Sequence, residues 1–295
     1  MIKFSKLIWL YFTISGIVIL SGLYSLARYG LRPSIDFSGG TLVEFTANKD
    51  IASDAVMQTA QSMRVDVASV QRAGSGHYII RMKPQTSQAI NELLSKIESN
   101  TKATLTIQQN ETIGPVLGKE LLKKAVFAAI LAITAILCYV AWAFKNLKFG
   151  MATIVALIHD LLVVIGTFSL LGHFLGVEVD TLFVTAFLTT MSFSAHDTIV
   201  VFDRIREYLK KDRSRPFEEL CDIALTETIN RSMTNTFTII FMLTALVLMG
   251  GETIKWFIVA LLIGTISGTY SSPFIATPVL LLWDRWEKKR KVHHS

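Results

Sequence analysis

The chain has 295 residues, of which 51% are hydrophobic and 18% are charged, with a formal net charge of +6 at pH 7. Its mean hydropathy of +0.46 excludes an ordinary water-soluble globular protein. Contact with lipid headgroups at the inner face of a membrane accounts for the positive charge, and no nucleic-acid partner is needed to explain it. We therefore expect a membrane protein.

The first predicted element is an apolar segment at residues 7–26, close to the ~20 residues that cross a ~30 Å hydrocarbon core. It is longer than the apolar part of a secretory signal, and no A-x-A-like cleavage site follows, so we expect a retained anchor. The sequence SIDFSGG then predicts a tight junction between the membrane and the next domain. Gly39 and Gly40 permit the turn there, and Asp36 caps or anchors it.

Residues 31–122 are polar and of mixed charge, and their pattern predicts a domain outside the membrane. Strand patterns at 41–46, 67–72, 77–83 and 103–109 are interrupted by helix patterns at 53–63 and 86–99. The turn AGSG precedes the third strand, in which Tyr78, Ile80 and Met82 share one face. The order β-α-β-β-α-β predicts an α+β ferredoxin-like domain that folds independently.

Five further apolar segments follow, at residues 125–144, 151–171, 181–202, 232–250 and 256–282. The predicted fold is a polytopic α-helical membrane protein with six transmembrane helices and the ferredoxin-like domain between helices 1 and 2. The last segment is long and contains Pro273 and Pro278, so we expect it to be tilted or kinked. Small residues form a ridge on this segment and predict close packing within the bundle or against a partner. The ridge comprises Gly264, Gly268 and Ser272.

Lys and Arg residues predict the orientation, because they accumulate in cytoplasmic loops near the ends of spans. With a cytoplasmic amino terminus, the short outer loops hold only Lys255. The inner side then holds Lys3, Lys6, Lys145, Lys148, Arg204, Arg206, Lys210, Lys211, Arg213, Arg215, Arg285, Lys288, Lys289, Arg290 and Lys291. Both termini are therefore predicted to be cytoplasmic. We divide the chain into the amino terminus with helix 1 (1–30), the outer domain (31–122), helices 2 to 6 (123–283) and a basic cytoplasmic tail (284–295).

Two acidic residues interrupt the apolar segments at comparable depth. Asp197 lies about 24 Å into the fourth segment, and Asp160 about 14 Å into the third from the opposite direction, at a rise of 1.5 Å per residue. An acid at this depth costs about 2.5 to 3.5 kcal/mol unless it faces protein or water, which favours a functional role. Asp197 could instead be a structural partner of a neighbouring Arg or Ser. For Asp160, beside His159, a hydrogen bond to a hydroxyl of a facing helix is an equal alternative.

Five motifs carry a resemblance to a known family. They are SIDFSGGTLVEF after the first span, LIHDLL in the third, SAHDTIVVFDRIREYLKK in the fourth, TETINRSMTNT entering the fifth and GTISGTYSSPFIATPVLL in the sixth. Their order and topology are similar to those of the SecD/SecF family of bacterial protein export, over essentially the whole chain. The block DTIVVFDRIRE is far more specific than a single short motif. The resemblance implies a half-sized member of the resistance-nodulation-division superfamily.

The resemblance implies a subunit that pairs with SecD beside the SecY/SecE/SecG channel in the bacterial inner membrane. Such a subunit uses the proton motive force to assist the translocation of unfolded preproteins and their release on the periplasmic side. It is not an enzyme, and it needs no cofactor or metal. The sequence agrees, because it contains no Walker A, nucleophile-elbow or H-E-x-x-H motif, so the energy source must be ionic or borrowed.

The resemblance also implies a proton relay around Asp197. Arg231 matches the arginine that the family uses as a counter-charge, although an Arg at a cytoplasmic helix end can anchor the helix without further purpose. Asp160 and His159 are further candidates. His196 stands where the family more often has Asn, so it either joins the relay or replaces an amide hydrogen bond.

The sequence also leaves two other functions open for these residues. A small-molecule or lipid exporter of the same superfamily would share the six spans and the intramembrane acid, but it would carry a second six-span half. A membrane enzyme would need His159, Asp160, His196 and Asp197 to converge as metal ligands or as acid and base. The charged run from Asp203 to Glu207 is predicted to be a solvated helix end.

Overall fold

The computed structural model describes residues 4–72, 76–144, 146–212 and 214–292. Lys3, Lys145 and Arg213 of the predicted inner side, and residues 73–75 of the predicted turn, lie outside these ranges. The chain forms two compact units, one made of Met1–Arg32 with Ala128–Ser295 and the other of Pro33–Phe127.

The elements follow one another with short connections. In chain order they are a 3-10 turn (Phe4–Lys6), α1 (Ile8–Tyr29), α2 (Ile35–Ser38), β1 (Gly40–Ala47), α3 (Ser53–Ser62), β2 (Val67–Arg72), β3 (His77–Met82), α4 (Ser87–Thr101), β4 (Leu105–Ile113), α5 (Pro115–Ala143), α6 (Leu147–Leu175), α7 (Thr181–Lys211), α8 (Phe217–Met249), α9 (Glu252–Ser271), a π-helical turn (Ser272–Ala276) and α10 (Thr277–Val292).

The unit Pro33–Phe127 contains a four-stranded antiparallel sheet in the order β2-β3-β1-β4. Side chains from alternate strand positions form its core with the inner faces of α3 and α4. As predicted, Tyr78, Ile80 and Met82 all point into this core. The Tyr78 hydroxyl accepts a hydrogen bond from the amide of Ile51 (2.7 Å) and donates one to its carbonyl (2.9 Å), so this buried phenol is fully satisfied.

The junction before the sheet is a single helical turn, α2, followed by two glycines. The side chain of Ser34 accepts a hydrogen bond from the amide of Asp36 (3.2 Å) and so caps α2. Gly39 has a φ of 72° and Gly40 a φ of 148°, conformations that L side chains rarely adopt. A Cβ at Gly39 would also lie 2.7 Å from the Cα of Pro115. The predicted need for both glycines therefore has a steric cause.

In the other unit, the helices are long enough to cross a membrane. By length and composition, five segments within the described residues qualify as spans: Ile8–Tyr29, Pro115–Ala143, Leu147–Leu175, Phe217–Met249 and Ile254–Arg290. They correspond to five of the six predicted spans. The remaining predicted span, residues 181–202, lies on α7. This helix is not among the segments that qualify by length and composition, so the span stays a prediction.

Helix α7 packs against α6, α8 and α9, and its contact with α9 depends on small residues. A Cβ at Gly264 would lie 2.4 Å from the Cβ of Thr190, and one at Gly268 would lie 3.0 Å from the Cβ of Ser194. The predicted ridge thus packs within the bundle. Between α9 and α10 the chain passes through the π-helical turn that contains Pro273, which gives the predicted irregularity a physical cause because proline lacks an amide hydrogen.

Candidate functional site

Asp160 lies in the core of the bundle, where its carboxyl group accepts three hydrogen bonds from serine hydroxyls and contacts the ring of His159. Its Oδ1 receives the hydroxyl of Ser267 (2.6 Å) and faces Nδ1 of His159 (2.9 Å). Its Oδ2 receives the hydroxyls of Ser194 (2.5 Å) and Ser271 (2.6 Å). The side chains of Asp160 and His159 are both buried. This carboxyl group therefore joins α6 to α7 and α9.

A second row of polar groups extends from His159 to α1. Its Nε2 lies 3.1 Å from the hydroxyl of Ser15, which donates to the hydroxyl of Tyr270 (3.3 Å). Tyr270 in turn donates to the carbonyl of Tyr11 (3.1 Å). The imidazole thus connects the buried acid with α1 and α9.

Asp197 has a different environment, although it is only 37 residues further along the chain. Its Oδ1 accepts a hydrogen bond from Ser232 of α8 (2.7 Å), whereas its buried Oδ2 has no hydrogen-bond partner among the described residues. At the next residue of α7, the hydroxyl of Thr198 lies 3.0 Å from that of Ser272, at the start of the π-helical turn. A buried oxygen without a partner is costly, and its presence favours a functional role.

A cavity of about 220 Å³ adjoins Asp197 between α7, α8 and α9. Most of its lining is apolar, and the hydroxyl groups of Ser232, Thr236 and Thr269 interrupt it. Neither Asp160 nor His159 lines this cavity. Of the two buried acids, Asp197 is the one beside open space.

Two of the other predicted site residues lie near Asp197 in the chain or the fold but are exposed. Arg231 is exposed, and within the described part of the chain no hydrogen bond or ion pair joins it to Asp197. It directly precedes Ser232, the donor to Asp197, and so lies on the same turn of α8. His196 is exposed on α7. Among the described residues, no group of three or more His, Cys, Asp or Glu side chains is arranged to hold a metal ion.

The charged end of α7 has the character predicted for it. Asp203, which is exposed, pairs with the partly exposed Arg206 (3.0 Å) on the same helix. Arg204 contacts Glu207 and also Glu227 of α8. These contacts tie the ends of α7 and α8 together without burying charge, and each exposed pair adds little stability.

Sequence reasoning missed most of the hydroxyl groups that define the two acids. Ser15, Ser232 and Ser267 carry no hydropathy signal, and their partners lie far away in the sequence. The polarity of GTYSS was the one available signal, because it marks Tyr270 and Ser271 inside an apolar segment.

Comparisons with known proteins match nearly the whole chain. Residues 93–286 match the family model of the protein export membrane protein SecD/SecF, C-terminal, and residues 24–51 match the SecD/SecF GG motif. The second match contains the Gly39–Gly40 junction. The two glycines with positive φ therefore belong to a motif of the family.

Proteins of similar sequence and structure carry names that agree with this family match. The protein translocase subunit SecF of Thermobaculum terrenum is 37% identical over 93% of this chain and 91% of its own length. That of Anaerolinea thermophila is 37% identical over 95% and 93%. The crystal structure of SecDF, a translocon-associated membrane protein from Thermus thermophilus, superposes with a TM-score of 0.86 at 27% identity. That alignment covers 96% of this chain but only 39% of the SecDF chain. The chain therefore belongs to the SecD/SecF family of protein export membrane proteins.

Proposed function

We propose that this chain is the SecF-type subunit of a protein translocase and that it draws on the proton motive force to assist preprotein translocation and release. This proposal is supported by the names of two relatives, which match over more than nine-tenths of both chains. Because the chain spans about two fifths of the SecDF chain that it resembles, we propose that a SecD subunit supplies the remainder. The SecY/SecE/SecG channel and unfolded preproteins are its further partners in this proposal.

The proposed membrane topology has six spans, with α7 as the fourth. Support for α7 comes from its packing against α6, α8 and α9, all of which contain apolar segments of spanning length. Its charged residues beyond Phe202 then emerge on the cytoplasmic side, where both termini also lie. The polar groups of such a helix need internal partners in a membrane. Thr190, Ser194 and Thr198 of α7 are buried, and the exposed Thr185 and Thr189 donate to carbonyls of α7 itself.

We propose a ferredoxin-like fold for the domain between the first two spans. Its element order is β-α-β-β-α-β, and the sheet order β2-β3-β1-β4 supports the assignment because β1 and β3 occupy the centre while β2 and β4 form the edges. This domain lies on the periplasmic side in the proposed topology.

Asp197 is the proposed site of proton exchange, and its unpartnered Oδ2 is the observation that carries this assignment. An incoming proton on Oδ2 displaces no existing hydrogen bond, and the adjoining cavity has room for water. Protonation neutralises the carboxyl group and weakens its preference for a nearby positive charge. His196, at the preceding position of α7, is a proposed secondary member of the relay.

Arg231 is proposed as the counter-charge in a second state. It lies about 100° around α8 from Ser232, given 3.6 residues per turn. A rotation of α8 into the space beside Asp197 would exchange the Ser232 hydroxyl for the Arg231 guanidinium. The two states would thus differ in the contact between α7 and α8 and in the charge on Asp197.

The available energy is sufficient for such a change. A proton that crosses the membrane supplies about 2.3 kcal/mol per 100 mV of potential, and about 1.36 kcal/mol per pH unit of gradient. A few kcal/mol can shift a two-state equilibrium by several hundred-fold. The prediction that His159 and Asp160 join the relay stays a prediction.

Preprotein translocation into inverted membrane vesicles tests the proposed function. Vesicles would contain the channel and the SecD subunit, with or without this chain, and export would be measured before and after an ionophore dissipates the proton motive force. We expect the chain to increase export only while the force is present. An equal increase after dissipation would refute the proposal.

A further inference from the structure

The cavity beside Asp197 opens toward the membrane between α8 and α9. Its lining includes Met233 and Phe237 of α8 and Ile266 of α9, whose side chains are also exposed on the outer surface of the bundle. A molecule dissolved in the hydrocarbon of the membrane therefore reaches the cavity without crossing the bundle. The volume of about 220 Å³ is ample for a small apolar ligand, because an engineered apolar cavity of about 150 Å³ holds benzene.

The hydroxyl groups that line the cavity have already used most of their hydrogens. Three of them donate within the protein: Thr228 to a carbonyl of its own helix (2.8 Å), Ser232 to Asp197 (2.7 Å) and Tyr270 to a carbonyl of α1 (3.1 Å). The other two, those of Thr236 and Thr269, share one hydrogen bond (2.8 Å). The cavity is therefore unsuited to a ligand whose polar group only accepts hydrogen bonds, such as a carboxylate or a phosphate.

The cavity does border a hydrogen-bond acceptor, the carboxyl group of Asp197. Its buried Oδ2 has no hydrogen-bond partner among the described residues, with the hydroxyl of Ser272 nearby. The χ2 torsion of an aspartate is soft, so a small rotation presents either oxygen to a donor in the cavity. Within the part of the chain that the structure describes, no Lys or Arg lines the cavity. A ligand can therefore supply the positive charge that the surroundings of this acid lack.

Aromatic rings form part of the same lining. They belong to Phe237 of α8, Tyr270 of α9 and Phe274 of the π-helical turn, and the last two have ring centroids 5.0 Å apart. The faces of aromatic rings attract cations, and more strongly where water is excluded. The lining thus suits the apolar body of a ligand, and the acid with the rings suits a positively charged group that donates hydrogen bonds.

We propose that this cavity binds a lipophilic ammonium ion, whose apolar body lies between α8 and α9 and whose N–H groups donate to Asp197. The binding itself does not depend on the proposed function, whereas its effect rests on it. An occupied cavity leaves no room for water beside Asp197 and no space into which α8 can rotate. The bound ion therefore blocks force-dependent export.

A binding experiment on the full chain in lipid nanodiscs tests the chemical class of the ligand. The probe is tritiated aminoadamantane, a compact apolar cage with one ammonium group, and nanodiscs without the chain are the blank. Adamantanol and adamantane carboxylate have the same cage with a different polar group. We expect saturable binding that aminoadamantane displaces about tenfold better than adamantanol, since only the ammonium forms a charge-assisted hydrogen bond, and that the carboxylate does not displace. Equal displacement by the amine and the alcohol, or no saturable binding, would overturn the proposal.

Three variants test the location of the site. Ile240 lines the cavity and the neighbouring Ile239 does not, although both are partly buried on α8. Ile240→Phe places a ring in the cavity and should weaken binding of aminoadamantane, whereas Ile239→Phe adds the same ring elsewhere and should leave binding unchanged. Asp197→Asn should weaken it about tenfold, because it removes the charge from the acceptor. Normal binding in Ile240→Phe or in Asp197→Asn would place the probe outside this site and refute the proposal.

Export into inverted vesicles tests the effect of binding. Aminoadamantane should lower force-dependent export, and adamantanol at the same concentration should not, with the proton motive force in the same vesicles monitored by a dye and held equal. Undiminished export at a saturating concentration of aminoadamantane would overturn the blocking effect. The binding experiment requires no export, so a chain that gives no force-dependent export even without the probe would refute the proposed function and leave the binding site intact.

Discussion

At the scale of single residues, the two intramembrane acids differ in how completely their oxygens are paired. Both oxygens of Asp160 accept hydrogen bonds from serine hydroxyls, whereas Oδ2 of Asp197 has no hydrogen-bond partner among the described residues, with the hydroxyl of Ser272 nearby and a cavity adjoining it. The two acids, which are predicted to lie at similar depth, therefore have different chemical surroundings. A group that must gain and lose a proton needs an accessible position for it, and only Asp197 of these two offers one.

Asp197→Asn should uncouple export from the proton motive force. The amide has nearly the shape of the acid but cannot titrate, so the protein should still insert and still bind its partners. We expect the force-dependent component of export into inverted vesicles to fall to the level seen without the chain. Normal stimulation by the force in this variant would make Asp197 a structural residue.

Asp203→Asn provides the control for that experiment. Asp203 is exposed and pairs with Arg206 on the same helix, a contact of the kind that contributes between zero and about 1 kcal/mol. Export should therefore remain close to normal. An effect as large as that of Asp197→Asn would mean that any charge change on α7 disturbs export.

The sequence was sufficient to find the acids and to favour Asp197, but it did not identify the groups that surround them. An acid within an apolar run is visible because its cost in a membrane is large. The partners of Asp160 and Asp197 are hydroxyl groups on other helices, up to 111 residues away, and such pairing depends on tertiary packing. Arg231 shows the same limit, since the family resemblance implies a counter-charge, yet Arg231 is not paired with Asp197 in this structure.

At the scale of elements, hydropathy predicted the apolar segments more accurately than it predicted the ends of the helices that contain them. The predicted fourth span ends at residue 202, but α7 continues to Lys211, and α8 begins at Phe217, 15 residues before the predicted fifth span. Helical structure continues into water wherever charged residues pair along and between helices, as Arg204 does with Glu207 and Glu227. Hydropathy carries no information about these extensions.

Gly264→Ala should destabilise the contact between α7 and α9. The new methyl group would lie 2.4 Å from the Cβ of Thr190, an atom fixed to the backbone, so the helices must separate. Overpacking of this kind costs about 1 to 3 kcal/mol. Thermal unfolding of the purified chain in detergent should show a lower midpoint for this variant.

Gly16→Ala is the matched control for packing. Gly16 also lies within a helix, α1, but a Cβ there would meet no atom within 4 Å. Alanine is intrinsically better than glycine in a helix by up to about 1 kcal/mol, so this variant should be neutral or slightly more stable. Equal losses in both variants would show that the effect of Gly264→Ala is not steric.

At the scale of the whole molecule, the segment between the first two membrane helices should fold by itself. Its core residues all come from this segment, and the compact unit covers Pro33–Phe127. We expect a fragment of residues 33–114 to unfold cooperatively and residues 41–109 to be less stable, because the shorter fragment lacks the end of β4 that pairs with β1. Circular dichroism during urea unfolding would measure both, and a fragment 33–114 without a cooperative transition would contradict the expectation.

Deletion of the same segment tests its role in export. A membrane protein without it should still insert, because the apolar helices remain. We expect no stimulation of export, since the proposed contact with unfolded preprotein would be lost. An unchanged export rate would show that the segment has no part in the work of the translocase.

The final prediction concerns the need for a partner in the membrane. The chain aligns with only 39% of the SecDF chain from Thermus thermophilus, and large apolar side chains of α5, including Phe127, Ile130 and Trp142, are exposed. In the proposed function a SecD subunit supplies the remainder of the SecDF chain, so we expect the purified chain in liposomes with the channel to give no force-dependent export. Addition of the SecD subunit should restore it, and the complex should co-purify through a tag on either subunit. Full force-dependent export by the chain and channel without SecD would show that this half is sufficient and that the exposed face of α5 only contacts lipid.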